Sequence, residues 1–310
     1  MVRKVKRKID WKRVFSMDRI IAGLILVLIV VGTVFFVRDI KVYDYIVETN
    51  AFFAPFEFYD NREIVGVDVE IINRVAEKLD ASIEVKNVEF DMIIDNVASG
   101  VIADAGAAGL TITPARAEKV DFSIPYYTSV QYVIFNPNNA PAIKTGEVLE
   151  AEGGDTMSIG KEYVTWDALA GKTIGSQMGG TGYLFAEDEA SDGVLADTNT
   201  KVKGLESHQI SADAIGSHII DYAIADELAA KFIVEKNPEL EALPLYYADP
   251  AGDYPTEESY AIAVNKQRPE LLEAFNQVLT EMLEPGEDGQ SEMDKLILKY
   301  MGLSEEVMDE

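Results

Sequence analysis

Apolar and polar positions follow two different spacings along most of this 310-residue chain. Short apolar or β-branched runs at 83–88, 129–135 and 261–264 predict β-strands. Apolar residues that recur every three or four positions after Asp68 and within 269–283 predict helices, and Asp68 is expected to cap the first of them. Strands and helices that alternate in this way are typical of an α/β fold. The length also exceeds one ordinary core, which favours two lobes.

The N-terminal part of the chain has a different pattern. Residues 1–19 carry eight basic and two acidic side chains, and residues 20–37 form an uncharged run of eighteen residues. At about 1.5 Å per residue, this run is long enough to cross most of a hydrocarbon core of about 30 Å. The pattern predicts a cytoplasmic basic segment and a single transmembrane anchor at 20–37, with the rest of the chain outside the cell membrane. A cleaved signal peptide is the alternative, but residues 35–38 offer no small-residue cleavage site.

Net charge and cysteine content limit the possible binding partners of the chain and the ways in which it can be attached to a membrane. The formal net charge is −27 although the first nineteen residues are basic, so the remainder is strongly acidic. A strongly acidic protein surface repels phosphate groups, and nucleic acid is therefore not expected as a partner. The chain contains no cysteine, which excludes disulfides and attachment through a lipid-modified cysteine.

The stretch 104–127 contains the densest set of candidate binding groups. Small residues at 104–109 lead into a short β-branched run and a turn at Pro114. Thr111 supplies a hydroxyl group, and Arg116 supplies a planar set of N–H donors that can hold a carboxylate in bidentate fashion. A ligand that carries a carboxylate is therefore expected here.

Two motifs in this stretch resemble the signature of a known protein family. They are Gly-Leu-Thr-Ile-Thr-Pro-x-Arg at 109–116 and Val-Asp-Phe-Ser-x-Pro-Tyr-Tyr at 120–127. The motifs resemble those of extracytoplasmic solute-binding proteins that deliver polar amino acids to ABC importers, and the similarity covers most of the chain after the apolar run. The resemblance implies a periplasmic-binding-protein-like type II fold, in which a two-strand hinge joins two α/β lobes. Lobe 1 is expected at 41–128 and 259–310, and lobe 2 at 129–258.

The resemblance also implies a function and partners. A membrane-anchored protein of this kind captures a free amino acid by closing its hinge and delivers it to an ABC transporter permease, without a cofactor. Two alternatives stay open: a ligand-sensing component of a signalling system, and an enzyme of the same fold such as a cyclohexadienyl dehydratase. No G-x-S-x-G, dinucleotide or P-loop pattern appears, so no enzymatic activity is expected. His208 and His218 have no ligating neighbours in sequence, so no metal site is expected.

The resemblance assigns the two charged ends of the amino acid to residues from both lobes. Arg116, Thr111 and Thr181 are expected to hold the ligand carboxylate. Asp226 and the carbonyl group of Gly109 are expected to hold the ligand ammonium. A helix cap is the alternative role for Asp226, and a plain glycine-rich turn is the alternative for the loop that contains Thr181.

The ligand side chain is assigned, again by resemblance, to two aromatic and two amide residues. Phe53 and Phe90 are expected to pack against its apolar stem, with core packing as the alternative for both. Asn50 and Gln177 are expected to bind its polar end. Because both amides are neutral, glutamine or a similar polar amino acid is the preferred ligand. Nearby Glu57 and the acidic composition keep a basic amino acid as the second choice.

One long stretch has no role in this scheme. Residues 136–163 are rich in proline, glycine, asparagine and acidic side chains and show little periodicity. This composition predicts an exposed loop.

Overall fold

The computed structural model describes three ranges of the chain, residues 21–27, 42–149 and 156–307. The chain divides into two compact units, residues 1–43 and 44–310. In the first unit, residues 21–27 are helical. Within the described ranges, no helix combines the length and the apolar composition that a membrane crossing requires. The rest of the predicted anchor at 20–37 lies outside the described residues.

The second unit alternates strands and helices, as the spacing of apolar residues predicts. Its strands are β1 (Tyr45–Thr49), β2 (Phe52–Phe53), β3 (Glu57–Asp60), β4 (Glu63–Val65), β5 (Ile83–Asn87), β6 (Ala105–Gly106), β7 (Asp121–Phe122), β8 (Tyr127–Phe135), β9 (Lys144–Leu149), β10 (Thr156–Thr165), β11 (Thr173–Gln177), β12 (Lys201–Leu205), β13 (Tyr222–Asp226), β14 (Glu241–Tyr247), β15 (Tyr254–Pro255), β16 (Glu257–Tyr260) and β17 (Ala263–Val264). Its α-helices are α1 (Val67–Leu79), α2 (Ile93–Ser99), α3 (Pro114–Lys119), α4 (Thr181–Ser191), α5 (Ser211–Gly216), α6 (Glu227–Lys236), α7 (Pro269–Leu283) and α8 (Glu292–Val307). Short 3₁₀ helices lie at Phe90–Met92, Pro137–Asn139, Trp166–Leu169 and His208–Ile210.

One sheet contains five strands in the order β5, β1, β6, β17 and β7. β1 is parallel to β5 and β6, whereas β17 is antiparallel to its two neighbours. Side chains alternate between the faces of a strand, and accordingly Val264 packs in the cluster that includes α1 and α7, whereas Ala263 packs with α2. We call this sheet with its helices lobe 1.

The start of α1 differs from the prediction. Gly66 occupies the cap position, and Asp68 lies buried in the first turn without capping the helix. The Asp68 carboxylate accepts hydrogen bonds from the Tyr126 hydroxyl (2.7 Å) and from the Gly109 N–H (3.2 Å). Burial raises the pKa of Asp68 to about 6. The prediction of an Asp68 cap is wrong because partners that are distant in sequence hold this carboxylate.

The second sheet runs in the order β12, β11, β13, β8, β14, β10 and β9, with β15 paired to β14 and β16 paired to β8. β11 is parallel to β12 and β13. The hydrophobic core against this second sheet contains Phe135, Trp166 and Tyr222. α4 packs on β11, β12 and β13, and α6 packs on β8, β13 and β14. We call this sheet with its helices lobe 2.

Within the stretch 136–163, residues 144–149 and 156–163 form strands instead of the exposed loop that their composition predicts. β9 and β10 pair with each other in antiparallel fashion, and β10 joins the sheet beside β14. The rings of Tyr163 and Tyr246 stack with centroids 4.8 Å apart, and Val148 is buried. The prediction is wrong for these strands because the pairing that joins them to the sheet is with β14, which is far away in sequence and which local composition does not record.

Two neighbouring strands carry the chain between the lobes. The first half of β8 pairs in antiparallel fashion with β16, and its second half pairs with β13 and β14 of lobe 2. β16 leads into β17 of lobe 1. The lobe boundaries predicted from sequence fall within these two strands and stay a prediction.

Candidate functional site

The candidate site lies between the lobes, at the ends of their central strands. Asn50 follows β1, Gln177 ends β11 and Asp226 ends β13. In open α/β sheets, ligands bind beyond the carboxyl ends of the strands. The Gln177 side-chain nitrogen Nε2 donates to Asn50 Oδ1 over 3.0 Å, and this bond joins lobe 2 to lobe 1.

Arg116 reaches this cleft from α3. The helix begins at Pro114, and the Thr113 side chain caps it by accepting the Arg116 N–H at 3.2 Å. The Arg116 side chain is only 7% exposed. It donates to the Thr111 carbonyl (2.8 Å) and to the Gly179 carbonyl (2.9 Å), so one guanidinium contacts both lobes. Burial lowers the pKa of Arg116, and the nearby carboxylates of Glu258 and Asp226 oppose that shift.

Two threonines meet across the same cleft. The hydroxyl oxygens of Thr111 and Thr181 lie 3.4 Å apart, and both side chains are buried. Each hydroxyl group donates to Oε2 of Glu258, a residue of the crossing strand β16. Glu258 thus contacts one threonine from each lobe.

Glu258 was not among the residues predicted from sequence. It is 3% exposed. Tyr260 on the same strand and Thr256 just before it are also buried, whereas Glu257 is exposed. This alternation places every second residue of β16 toward the interior. Alternation within the crossing strand is the signal that could have identified Glu258.

Asp226 is held by the other crossing strand. The Gln131 nitrogen Nε2 donates both to Asp226 Oδ1 and to Glu258 Oε1. Asp226 occupies the cap position of α6, but its side chain makes no capping hydrogen bond. Burial and the neighbouring Glu258 carboxylate raise the pKa of Asp226 well above its usual range, opposed by hydrogen bonds from Tyr260 and Gln131.

The aromatic residues form one wall of the site. Phe53 is buried and stacks on Phe56, with ring centroids 5.6 Å apart. Phe90 is half-buried, and the Arg116 guanidinium lies 5.7 Å from its ring centroid. Gly109 has a φ of 55°, and a Cβ there would lie 2.5 Å from Phe53 Cε1, so the close approach requires glycine.

His208 is a second residue that the sequence did not identify as part of the site. It is 6% exposed, its ring lies 5.8 Å from that of Phe53, and its Nδ1 has no hydrogen-bond partner in the described part of the chain. Burial lowers the pKa of His208 to about 4, so the imidazole is neutral at neutral pH. No local motif marks this histidine, because the chain brings it to the site only through the packing of lobe 2.

Glu57 has a different position from the one that the sequence suggests. Its carboxyl group is fully buried beside Asp68, and it is not part of the cavity lining. Burial, together with the negative charge of Asp68, raises the pKa of Glu57 well above its usual range. Because Glu57 is enclosed and does not line the cavity, it cannot contact a ligand there, and it gives no support to a basic ligand.

Most of the predicted site residues line a single small cavity between the lobes, with a free volume of about 10 Å³. They are Asn50, Phe53, Phe90, Gly109, Thr111, Gln177, Thr181 and Asp226, and His208 joins them. Arg116 borders the cavity through its contacts with Thr111 and Phe90. The fold therefore brings the nine predicted residues together, and their individual roles toward a ligand stay predictions. Within the described ranges, no group of three or more metal-ligating side chains is present.

Comparisons with known proteins agree with this architecture. Residues 45–302 match the model of the bacterial extracellular solute-binding proteins, family 3. The arginine-binding extracellular protein ArtP of Bacillus subtilis is 28% identical over 244 residues, which cover 78% of this chain and 82% of that protein. A probable histidine-binding protein of Campylobacter jejuni is 29% identical, with 80% and 81% of the two chains covered.

Solved structures show the same likeness. An ancestral arginine-binding protein bound to arginine has a TM-score of 0.63 at 29% identity, covering 84% of this chain and 96% of that chain. The substrate-binding protein AbpA of Streptococcus pneumoniae bound to L-arginine has a TM-score of 0.65 at 28% identity, with 84% and 95% covered. These matches confirm the periplasmic-binding-protein-like type II α/β fold. Since the family model spans well over half of the sequence, this chain belongs to the bacterial extracellular solute-binding proteins of family 3.

Proposed function

We propose that this protein captures a free amino acid outside the cytoplasm and delivers it to the permease of an ABC importer. The observation that carries the proposal is the position of Arg116 in lobe 1 and Asp226 in lobe 2, both buried at one cavity between the lobes. A buried guanidinium from one lobe and a buried carboxylate from the other complement the two charged ends of an amino acid. Family membership supports the extracytoplasmic location and the transport role.

The hydrogen bonds suggest how each end of the ligand is held. Arg116 has five N–H donors, of which two are engaged with backbone carbonyls, so others remain for a carboxylate. The first N–H groups of α4, beginning at Thr181, have no intrahelical acceptor and are a second donor set for it. The hydroxyl groups of Thr111 and Thr181 donate to Glu258, and Thr181 Oγ1 also accepts from Gln131 Nε2 over 3.5 Å. The carboxylate of Asp226 and the carbonyl group of Gly109 are the acceptors proposed for the ligand ammonium.

Closure of the lobes would then depend on the ligand. The lobes touch through Arg116 and Gly179, through Asn50 and Gln177, and through the two threonines that share Glu258. A buried charge is costly unless it is paired. A ligand that pairs with Arg116 and Asp226 therefore favours the closed cleft, with bending at the crossing strands β8 and β16.

For the ligand side chain, we infer a basic amino acid, with arginine as the first candidate. Asp226 and Glu258 give the site two carboxylates against the single guanidinium of Arg116, and a cationic side chain balances the remaining charge. The names of the relatives, which bind arginine or histidine, support this choice. Glutamine is the second candidate, supported by the neutral amides of Asn50 and Gln177 in the cavity.

Calorimetric titration with the twenty amino acids tests whether the protein binds an amino acid at all and which side chain it prefers. We expect arginine to bind with a Kd between about 10 nM and 10 μM, and glutamine to bind at least about tenfold more weakly because its neutral amide leaves the carboxylate excess unbalanced. Recovery of unchanged ligand would exclude the enzyme alternative. Tight binding of glutamine but not arginine would overturn the side-chain inference alone, whereas no binding by any amino acid would overturn the proposed function.

We also propose that residues 20–37 anchor the protein in the membrane. The support is the uncharged run behind a basic segment, which is unlike the acidic remainder. We expect the full chain to sediment with membranes after a high-pH carbonate wash and a version that starts at residue 42 to stay soluble. Release of the full chain by the wash would contradict an integral anchor.

A further inference from the structure

At the cavity, the carboxyl group of Asp226 shares one hydrogen-bond donor with the carboxyl group of Glu258. Both Asp226 Oδ1 and Glu258 Oε1 accept from Nε2 of Gln131, so the two groups lie on either side of a single nitrogen atom. Both side chains are at least nine-tenths buried. Two carboxyl groups that lie close together and away from water cannot both ionise without a large free-energy cost, unless a cation pairs with them.

Among the residues that the structure describes, the charged and titratable groups around this pair supply one cation. The groups that interact with Asp226 or Glu258 are Arg116, Glu57, Tyr127, His208, Tyr247 and Tyr260. The buried imidazole and the three phenols are neutral at neutral pH, and burial raises the pKa of Glu57, which favours its neutral form. Arg116 is the remaining charge, and its two Nη bonds go to backbone carbonyls instead of these carboxylates.

We infer that Glu258 couples amino acid capture to the release of a proton, because its carboxylate keeps Asp226 protonated until the ligand ammonium takes the place of that proton. The inference rests on the proposed function. Before binding, the two carboxyl groups hold one proton between them, and Asp226 carries it. On binding, the ammonium pairs with Asp226, the O–H bond of Asp226 breaks, and its proton passes to the solvent. Glu258 does not transfer this proton, and it acts by positioning and by charge.

The sign of the pH dependence follows from this step. The pKa of Asp226 is raised in the absence of the ammonium, and the positive charge of the ammonium lowers it again. Between these two pKa values one proton leaves for each ligand bound, so affinity rises with pH by up to about tenfold per unit. Lowering the pH from 8 to 6 is therefore expected to weaken binding, while the α-ammonium of the ligand stays charged.

The test is calorimetry of the full chain with arginine and, in parallel, with glutamine, at pH 7 in phosphate and in Tris. These buffers differ in their heats of protonation, so the difference in measured heat counts the protons released. For the unmodified protein we expect about one proton per ligand. For Glu258→Gln we expect clear binding with close to zero protons released, because Asp226 is already ionised beside a neutral amide. Glu257→Gln, an exposed change on the same strand, is the matched control and is expected to release as many protons as the unmodified protein.

Each outcome separates this inference from the proposed function. Binding with the same heat in both buffers, or a Glu258→Gln protein that releases as many protons as the unmodified one, would overturn the proton coupling and leave amino acid binding intact. No binding of either amino acid in any buffer would remove the proposed ligand class, and the coupling with it. If Glu258→Gln does not fold, the affinity of the unmodified protein between pH 6 and 8 decides the matter, and a flat profile would contradict the coupling.

Discussion

Replacing Arg116 with alanine is expected to weaken arginine binding by a factor of about 30 to 5,000, which corresponds to roughly 2–5 kcal/mol for removing one partner of a buried charge pair. Arg116 is buried, and it also bonds the carbonyl groups of Thr111 and Gly179 across the cleft. The substitution therefore removes both the partner of the ligand carboxylate and one contact that holds the lobes together. Calorimetric titration measures the loss directly.

Lys119→Ala is the control for this prediction. Lys119 lies on the same helix, α3, but its side chain is about half exposed and pairs with Asp95 at the surface. Exposed ion pairs contribute about 0–1 kcal/mol to stability, and this one is away from the cavity lining. We expect unchanged affinity. An Arg116→Ala protein that is folded and binds arginine within about threefold of the unmodified protein would contradict the assigned role.

Replacing Gly66 with alanine is expected to cost about 3 kcal/mol of stability or more. Gly66 has φ 131° and ψ −179°, a backbone conformation that is essentially restricted to glycine and costs other residues of order 1–3 kcal/mol. A Cβ there would also lie 2.1 Å from the carbonyl oxygen of Phe56. That contact involves backbone, which cannot move aside without shifting β3 or the start of α1. A loss of this size corresponds to a decrease in Tm of roughly 6–12 °C.

Gly216→Ala is the matched substitution. Gly216 is the last residue of α5, and a Cβ there would have no atom within 4 Å. Alanine at an unstrained position is expected to change stability by less than about 1 kcal/mol, in the stabilising direction. Thermal unfolding of both variants distinguishes the two environments, and equal melting temperatures would show that the backbone at Gly66 is not strained by a side chain.

Local patterns in the sequence were sufficient to predict those elements whose structure depends on neighbouring residues. The apolar spacing after Gly66 predicts α1, whose buried residues include Ile71, Ile72 and Val75. The motif around Thr111 and Arg116 predicts a group of donors because a short strand end and a capped helix place both residues at the same cleft. Such elements depend on contacts within a few positions, and these contacts are visible in the sequence.

Predictions failed where a residue depends on partners from another part of the chain. Asp68 looks like a helix cap, but the fold places it against Tyr126 and Gly109. Glu258 looks like one of many surface acids, and only the pairing of the two crossing strands places it beside Gln131. His208 has no motif, and packing alone brings it to the cavity. Burial of a polar side chain is a tertiary property, so composition could not identify these residues.

The central claim is that the site recognises both charged ends of a free amino acid, through Arg116 at one end and Asp226 at the other. The most direct measurement compares arginine with its decarboxylated and its deaminated analogues by titration of the unmodified protein. Each analogue keeps the guanidinium and lacks one end, and we expect each to bind at least about 30-fold more weakly, since each loses one of the two charge pairs that hold the ligand. Binding of either analogue within about threefold of arginine would contradict the claim.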